Sequence, residues 1–358
     1  MSQQTSLHIA LDSGAPAGST DFTTLVMIHG YNCPGGMFAK LVPLAHKHNS
    51  RVVFVNRRDY PGAKPYDAAE LAVLKEAAAV VSADPAKAHS LLAPFMKERA
   101  REVFDLLAHI VEEGNITLPQ KEKNTGGIIV GGWSFGTAWM TALLAHVADF
   151  SAGSPVAVDA YVRRVILHDG SYPILGYPSP DSPDNYNPTL DPAFFDLSTD
   201  PTVALRWVSG YFAHGDTEAT LQKRVPLDTP TPTLLTLTPE ETASALCVTP
   251  GLPGGSDQLL FNTGVDCGLF TALREAALAT PSDARGWPAV EVRYVWCEAS
   301  VWEMVWCAWS IRKEMEEKVA GMREVRILRL PKANHFVHWD EPERSLKVFL
   351  AGEDVSEM

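Results

Sequence analysis

The five residues Gly132-Trp133-Ser134-Phe135-Gly136 stand between two segments of different periodicity. The apolar run Gly126–Val130 before them predicts a buried β-strand, and Thr137–Val147 after them has the spacing of a helix. When a strand turns directly into a helix, the two elements cross so closely that small residues are needed two positions before and after the central one. The pattern therefore predicts a sharp strand–turn–helix unit with Ser134 at its tip.

Ser134 is the predicted nucleophile of this unit. Its hydroxyl would stand at the carboxyl end of the strand, where the helix dipole and free backbone N–H groups favour developing negative charge. A serine hydroxyl is a weak nucleophile near neutral pH and needs a base, for which histidine has a suitable pKa. The alternative is a glycine-rich turn in which Ser134 only caps the helix.

The rest of the chain alternates between short apolar runs and helical patterns. Six further strands are predicted at Leu7–Ala10, Thr24–Ile28, Arg51–Val55, Val162–His168, Val290–Trp296 and Val325–Leu330. Helical spacing occurs between them at Met37–His48, Ala68–Ser82, Ala86–Glu113 and Met304–Val319, and after them at Glu341–Ala351. This alternation predicts an α/β fold with a mostly parallel central sheet flanked by helices.

The alternation breaks between residues 171 and 286, where the chain is rich in Pro, Asp, Thr and Gly. We expect residues 1–170 and 287–358 to form the core domain and residues 171–286 to form an inserted cap over one edge of the sheet. The insertion carries aromatic residues that either line an enclosed pocket or form its own small core. These are Tyr172, Tyr177, Tyr186, Phe194, Phe195, Trp207, Tyr211 and Phe212.

Charge and composition exclude several classes of function. The formal net charge is −13 with no basic cluster, which argues against nucleic acid or an anionic membrane as partner. The five cysteines are odd in number and include no C-x-x-C pair, so they are typical of reduced thiols rather than of disulfides or a zinc site. No signal peptide or membrane span is visible, and we expect a cytoplasmic protein. The oligomeric state stays open.

Three segments carry a resemblance to the α/β-hydrolase superfamily. They are Arg57–Gly62, Gly132–Gly136 and Asn334–Glu343, and they are similar to those of fungal esterase- or lactonase-like members. The resemblance covers about Thr24–Ser171 and Val290–Leu350. It implies an α/β-hydrolase fold and hydrolysis of an ester, lactone or related acyl bond of a small molecule, without a cofactor. Epoxide hydrolases and haloalkane dehalogenases look similar overall but use Asp as nucleophile, so Ser134 argues against both.

Within this resemblance, two backbone N–H groups form the oxyanion hole. His29-Gly30 ends a predicted strand at the place where the fold supplies one donor, and Tyr31 is the residue we predict to provide it. Phe135, directly after the nucleophile, supplies the other. The alternative for Tyr31 is an ordinary turn after a strand.

The resemblance also implies the order serine, acid, histidine along the chain. His335 follows the last predicted strand and is the expected base, whereas His338 is expected to be structural. The usual place of the acid falls on Ser300, which cannot stabilise an imidazolium as a carboxylate does. Asp169, at the end of the strand after the nucleophile helix, is the preferred acid, and Glu298 is the alternative.

The predicted function is therefore a serine hydrolase that cleaves an ester or lactone bond of a small to medium, largely apolar molecule through an acyl-serine intermediate. Two other functions stay open on the same fold. In one, an alcohol, amine or carbon nucleophile intercepts the acyl-serine, giving an acyltransferase or a biosynthetic release or cyclisation enzyme. In the other, the chain binds a ligand without catalysis.

Overall fold

A computed structural model describes residues 5–114, 116–188, 202–317 and 321–352. Its described part contains a seven-stranded sheet with the order β1-β3-β2-β4-β5-β6-β7. The strands are His8–Asp12 (β1), Thr23–Ile28 (β2), Ser50–Asn56 (β3), Ile128–Trp133 (β4), Val162–His168 (β5), Glu291–Cys297 (β6) and Val325–Leu330 (β7). Only β1 pairs antiparallel, so the prediction of a mostly parallel sheet is confirmed.

Helices cover both faces of the sheet. Before β5 lie Ala68–Val80 (α1), Pro85–Glu112 (α2) and Thr137–Ala152 (α3). Between β5 and β6 lie Thr202–Val208 (α4), Pro239–Ala245 (α5), Ser256–Asp266 (α6) and Leu269–Leu278 (α7). After β6 come Trp302–Glu316 (α8), Val337–Asp340 (α9) and Pro342–Leu350 (α10). None of the helices in the described ranges is long and apolar enough to cross a bilayer.

Strand β2 shows how the sheet joins two cores. All six of its residues are buried, because the strand lies between neighbours on both sides and helices on both faces. Val26 and Ile28 point into the cluster formed with α1, α2, α3, α7 and α8. Leu25 and Met27 point into the opposite cluster with α9 and α10. Each such side chain contributes about 1.5–3 kcal/mol on burial, so the strand stabilises both layers.

The helical spacing at Met37–His48 is confirmed, and the helix is of the 3₁₀ type. The structure has a 3₁₀ helix at Gly35–Leu44 and a short 3₁₀ turn at His46–His48. Pro43 lies inside the first of these and has no backbone N–H to donate to an α-helical ladder. The apolar spacing still buries Met37, Phe38 and Leu41 against the sheet.

The segment between β5 and β6 packs directly on the helices that precede β5. Helix α7 lies against α3, and α6 contacts both α1 and α2. The division into a core of residues 1–170 and 287–358 and a cap of residues 171–286 stays a prediction. Of its aromatic residues, Trp207 and Phe212 are buried next to each other, whereas Phe194 and Phe195 lie outside the described residues.

The crossing of β4 and α3 has no spare room. A Cβ added to Gly132 would lie 2.1 Å from the carbonyl oxygen of Gly136, and one added to Gly136 would lie 2.6 Å from the carbonyl oxygen of Ile28. These neighbours are backbone atoms of the sheet and of the turn, so they cannot move aside as a flexible side chain would. Both glycines of the pentapeptide are therefore required by packing.

We predict that Gly132→Ala destabilises the protein by about 3 kcal/mol or more, because the added methyl group forces β4 and α3 apart. The measurement is the free energy of unfolding in denaturant. Gly153→Ala is the matched control, since it lies at the other end of α3 with no atom within 4 Å of its added Cβ. Equal stabilities of the two variants would contradict the prediction.

Candidate active site

Ser134 occupies the turn between β4 and α3 in a left-handed conformation. Its φ is 54°, which is costly for a residue with a side chain and persists only where the surrounding packing imposes it. The turn continues as a short 3₁₀ segment, Ser134–Gly136, directly into α3. The Ser134 side chain therefore stands at the carboxyl edge of the sheet, as the strand–turn–helix pattern predicts.

His335 and Asp169 meet at the same edge of the sheet. Asp169 directly follows β5, and His335 lies in the loop after β7. The distance between His335 Nδ1 and Asp169 Oδ2 is 2.7 Å, and both side chains are almost completely buried. A carboxylate at Nδ1 fixes which ring nitrogen carries the proton and leaves Nε2 free to accept one.

Two further donors orient the Asp169 carboxylate. The backbone N–H of Cys297 donates to Oδ1 over 2.9 Å, and the Ser300 hydroxyl donates to Oδ2 over 2.7 Å. The two donors hold the carboxylate in one orientation, with Oδ2 directed at the His335 ring. Ser300, which stands at the position where the resemblance implies an acid, thus supports the carboxylate that follows the neighbouring strand.

Trp133 connects His335 to the Ser134 turn. Its indole N–H donates to the carbonyl oxygen of His335 over 3.1 Å, and the two rings lie 4.9 Å apart. Within the described residues, Ser134 Oγ makes no hydrogen bond to the His335 ring. Bonds between a nucleophile and its base are often long before substrate binds and shorten in the complex.

The two alternative residues lie elsewhere. Glu298 pairs with Arg329 and accepts from the Lys332 N–H over 2.8 Å. Its partial burial raises the pKa, but these two donors outweigh that effect and hold the pKa of Glu298 below its usual range. His338 packs among aromatic rings, 4.5 Å from that of Trp133, and burial keeps its pKa well below the ordinary value. Within the described residues, neither side chain forms a hydrogen bond with Asp169 or His335.

The loop after β2 lies against Ser134. A Cβ on Gly30 would lie 2.8 Å from the Ser134 Cβ and 3.3 Å from its Oγ, so only glycine allows this approach. The next residue, Tyr31, is held by its hydroxyl, which donates to the Gly251 carbonyl over 2.9 Å, and by ring contacts with Phe135. No acceptor among the described residues takes the Tyr31 N–H.

The buried side chain of Arg57 holds the loop after β2 by hydrogen bonds. The Arg57 guanidinium donates to the carbonyl oxygens of His29 and Gly30 over 3.3 and 3.0 Å. On its other side it pairs with both oxygens of Asp257, at 2.8 and 2.5 Å. Burial lowers the pKa of Arg57, but the Asp257 carboxylate outweighs this and raises the pKa above its ordinary value. Arg57 therefore keeps its charge, and its contacts with Asp257 tie α6 to the loop.

His29 belongs to the same support and has no free nitrogen for catalysis. Its Nε2 accepts from the Arg57 N–H over 3.1 Å, so its Nδ1 carries the proton that is directed at the Gly30 carbonyl over 2.7 Å. Burial and the Arg57 charge lower the pKa of His29 well below the usual value, so the ring is neutral. Its contacts are those of a structural group.

Sequence reasoning missed the partnership of Arg57 and Asp257. Arg57 lies in one of the segments that carry the resemblance, but Asp257 lies 200 residues later, in the insertion. No periodicity or motif connects the two positions. The one available signal is chemical, because an arginine next to a buried strand requires a carboxylate partner.

Comparison with known proteins identifies the family. A sequence model of the alpha/beta hydrolase family matches residues 25–347. The chain therefore belongs to the alpha/beta hydrolase family and is placed among hydrolases. A search of curated proteins found no match.

Solved structures with similar folds have low sequence identity. The first is a bromoperoxidase from Bacillus anthracis, at 13% identity and a TM-score of 0.44, with 95% of this chain and 94% of that chain covered. An esterase from Exiguobacterium antarcticum has 15% identity and a TM-score of 0.44, with 96% and 95% covered. Epoxide hydrolase A from Mycobacterium thermoresistibile has 16% identity and a TM-score of 0.43, with 97% and 95% covered.

We predict that Asp257→Asn lowers the free energy of unfolding by about 3–5 kcal/mol, because it leaves the buried Arg57 charge without its partner. In a variant that still folds, the loop at Gly30 should shift, and kcat should fall by up to about 10²-fold, the scale of one lost oxyanion donor. Denaturant unfolding and ester hydrolysis measure the two effects. Asp228→Asn, exposed in the same insertion, is the control. Unchanged stability of Asp257→Asn would contradict the assignment.

Proposed function

We propose that the protein is a serine hydrolase that cleaves an ester or lactone bond of a small to medium, largely apolar molecule. The observation that carries the proposal is the buried 2.7 Å contact between His335 Nδ1 and Asp169 Oδ2, at the sheet edge where Ser134 holds its left-handed turn. A nucleophile, a base and an orienting carboxylate from three strand ends are the parts that acyl transfer requires.

In the proposed first half-reaction, Ser134 Oγ attacks the substrate carbonyl carbon while His335 Nε2 takes the hydroxyl proton. Asp169 stabilises the resulting imidazolium across the Nδ1 hydrogen bond. The N–H groups of Tyr31 and Phe135 receive the developing oxyanion, and they are fixed before reaction by the contacts of the loop and the turn. His335 then protonates the departing alcohol, which leaves an acyl-serine.

In the second half-reaction, His335 takes a proton from water as the water attacks the acyl carbon. Collapse of the second tetrahedral intermediate returns the proton from His335 to Ser134 Oγ and releases the acid. Besides the substrate and water, the two half-reactions use only side chains and N–H groups of this chain. The largely apolar character of the substrate is supported by the aromatic cluster around Phe135, the residue after Ser134, whose ring centre lies 5.7 Å from that of Phe261 and 6.1 Å from that of Phe270.

We predict that a fluorophosphonate probe labels the wild-type protein and that Ser134→Ala abolishes labelling. Hydrolysis of 4-nitrophenyl esters should fall by at least about 10³-fold in this variant, because the acyl-enzyme cannot form. Ser90→Ala, exposed on α2, is the control and should retain both properties. Labelling of Ser134→Ala at the wild-type level would disprove the role of Ser134.

We predict that Asp169→Asn lowers kcat by about 10⁴-fold, because an amide cannot stabilise the imidazolium and favours the wrong tautomer. Glu298→Gln should leave kcat within about twofold, since this carboxylate pairs with Arg329 instead. Steady-state kinetics on one ester compare the two variants, with circular dichroism to verify the fold. Loss of activity only in Glu298→Gln would show that the acid is misassigned.

A further inference from the structure

A cavity of about 710 Å³ lies beside the segment that follows β5. It opens between the chain that follows β5, the facing ends of α6 and α7, and the start of α8. Phe261 and Phe270 from α6 and α7 line it, and both rings contact that of Phe135, the residue after Ser134. The volume is within the range of small-molecule sites. These two ring contacts connect the cavity lining to the residue that follows Ser134.

The lining of this cavity combines aromatic rings with carboxylates. Tyr172 and Tyr177 line it together with the two phenylalanines, and the carboxylates are Glu303 and Asp266. No lysine, arginine or histidine is among the described residues that line it. Aromatic faces and carboxylates share one preference, because both attract positive charge and neither attracts an anion.

Glu303 is the part of the lining that needs an explanation. The residue is 8% exposed, and its Oε1 accepts from the Asn187 amide over 2.9 Å. No cationic side chain of the described residues lies within ion-pair distance of it. Burial raises the pKa of Glu303 to about 7, and the hydrogen bond from Asn187 offsets only part of that rise. A carboxyl kept in such a place without a cation weakens the fold near neutral pH, and the proposed chemistry at Ser134 does not use it.

We propose that this cavity binds a positively charged amine group of the substrate, with Glu303 as its counter-ion and the aromatic rings around it. The proposal rests on the hydrolase function proposed above and specifies which esters or lactones are preferred. A neutral hydroxyl would form one hydrogen bond with Glu303 but leave its charge unpaired. An ammonium group removes that cost, and the excess of negative charge over the whole chain, −13, attracts such substrates.

The first test measures binding without catalysis. At about pH 8.5, where the Glu303 carboxyl is ionised, hexylammonium should bind the wild-type protein at least about tenfold more tightly than 1-hexanol does. Glu303→Gln keeps the size of the side chain and an acceptor for Asn187, and it should lose this preference. Glu316→Gln, exposed on the same helix, should retain it. Calorimetry gives the dissociation constants, and thermal unfolding verifies that each variant is folded.

The second test joins the cavity to the reaction. The substrates are the 4-nitrophenyl ester of 6-(trimethylammonio)hexanoic acid and that of its carbon isostere, 7,7-dimethyloctanoic acid. We expect kcat/KM of the wild type to favour the cationic ester by about tenfold, and Glu303→Gln to reduce the ratio to near one by weakening the cationic ester alone.

The outcomes separate the two proposals. Hydrolysis of the neutral ester without any preference for hexylammonium overturns the cavity assignment and leaves the hydrolase function intact. Selective binding of hexylammonium through Glu303 with no hydrolysis of either ester supports the cavity and overturns the hydrolase function. A preference for the cation that persists in Glu303→Gln shows that Glu303 is not the counter-ion. Binding selectivity with equal kcat/KM for the two esters shows that the cavity does not hold the substrate.

Discussion

The close crossing of β4 and α3 is the constraint on which the rest of the site depends. Because Gly132 and Gly136 have no side chains, the strand can enter the helix through a turn of one residue, and that residue must adopt a left-handed conformation. The strain at Ser134 is sustained by the buried layers on both sides of the sheet. A less tightly packed sheet would let the turn relax into the helix and withdraw the hydroxyl from the edge.

A second dependence links the insertion to the loop at Gly30. Asp257 comes from α6 and pairs with Arg57. Arg57 in turn donates to the carbonyl oxygens of His29 and Gly30, and Gly30 is the residue that lies against Ser134. Arg57 is also enclosed by rings, with its guanidinium 4.2 Å from the centre of the Trp139 indole. A buried ion pair contributes little net stability in general, because desolvation offsets the attraction. In this protein the ion pair acts on geometry, because it fixes the direction of the His29 and Gly30 carbonyls. Each of these peptide groups is planar, so the N–H groups of Gly30 and Tyr31 are fixed with them.

The sheet was predictable from the sequence because parallel strands buried on both faces are continuous apolar runs. Val162–His168 and Val325–Leu330 are strands with the predicted bounds. Periodicity could not distinguish an α-helix from a 3₁₀ helix at Gly35–Leu44, because both types bury one face of the helix. Pro43 affects only the backbone hydrogen bonds, which the apolar pattern does not report. Chain order and strand ends were enough to nominate Asp169 and His335, which the structure brings together. They could not reveal that Ser300 donates to that carboxylate, because a single hydroxyl has no pattern.

The structure of the insertion between β5 and β6 could not be predicted from the sequence. Its helices are short and its loops long, so its residues take their positions from tertiary contacts rather than from local propensity. Glu303 lies outside the insertion, at the start of α8, but its environment depends on Asn187 from the insertion. In the sequence it is one more acid near the start of a helix, where a carboxylate is usually solvated and interacts well with the helix dipole. The folded chain buries it beside Asn187 and the rings of a cavity, where no cationic side chain of the described residues pairs with it. Selection for stability alone would favour an uncharged residue at that position, so the carboxylate is most simply explained by a cation that arrives with the substrate.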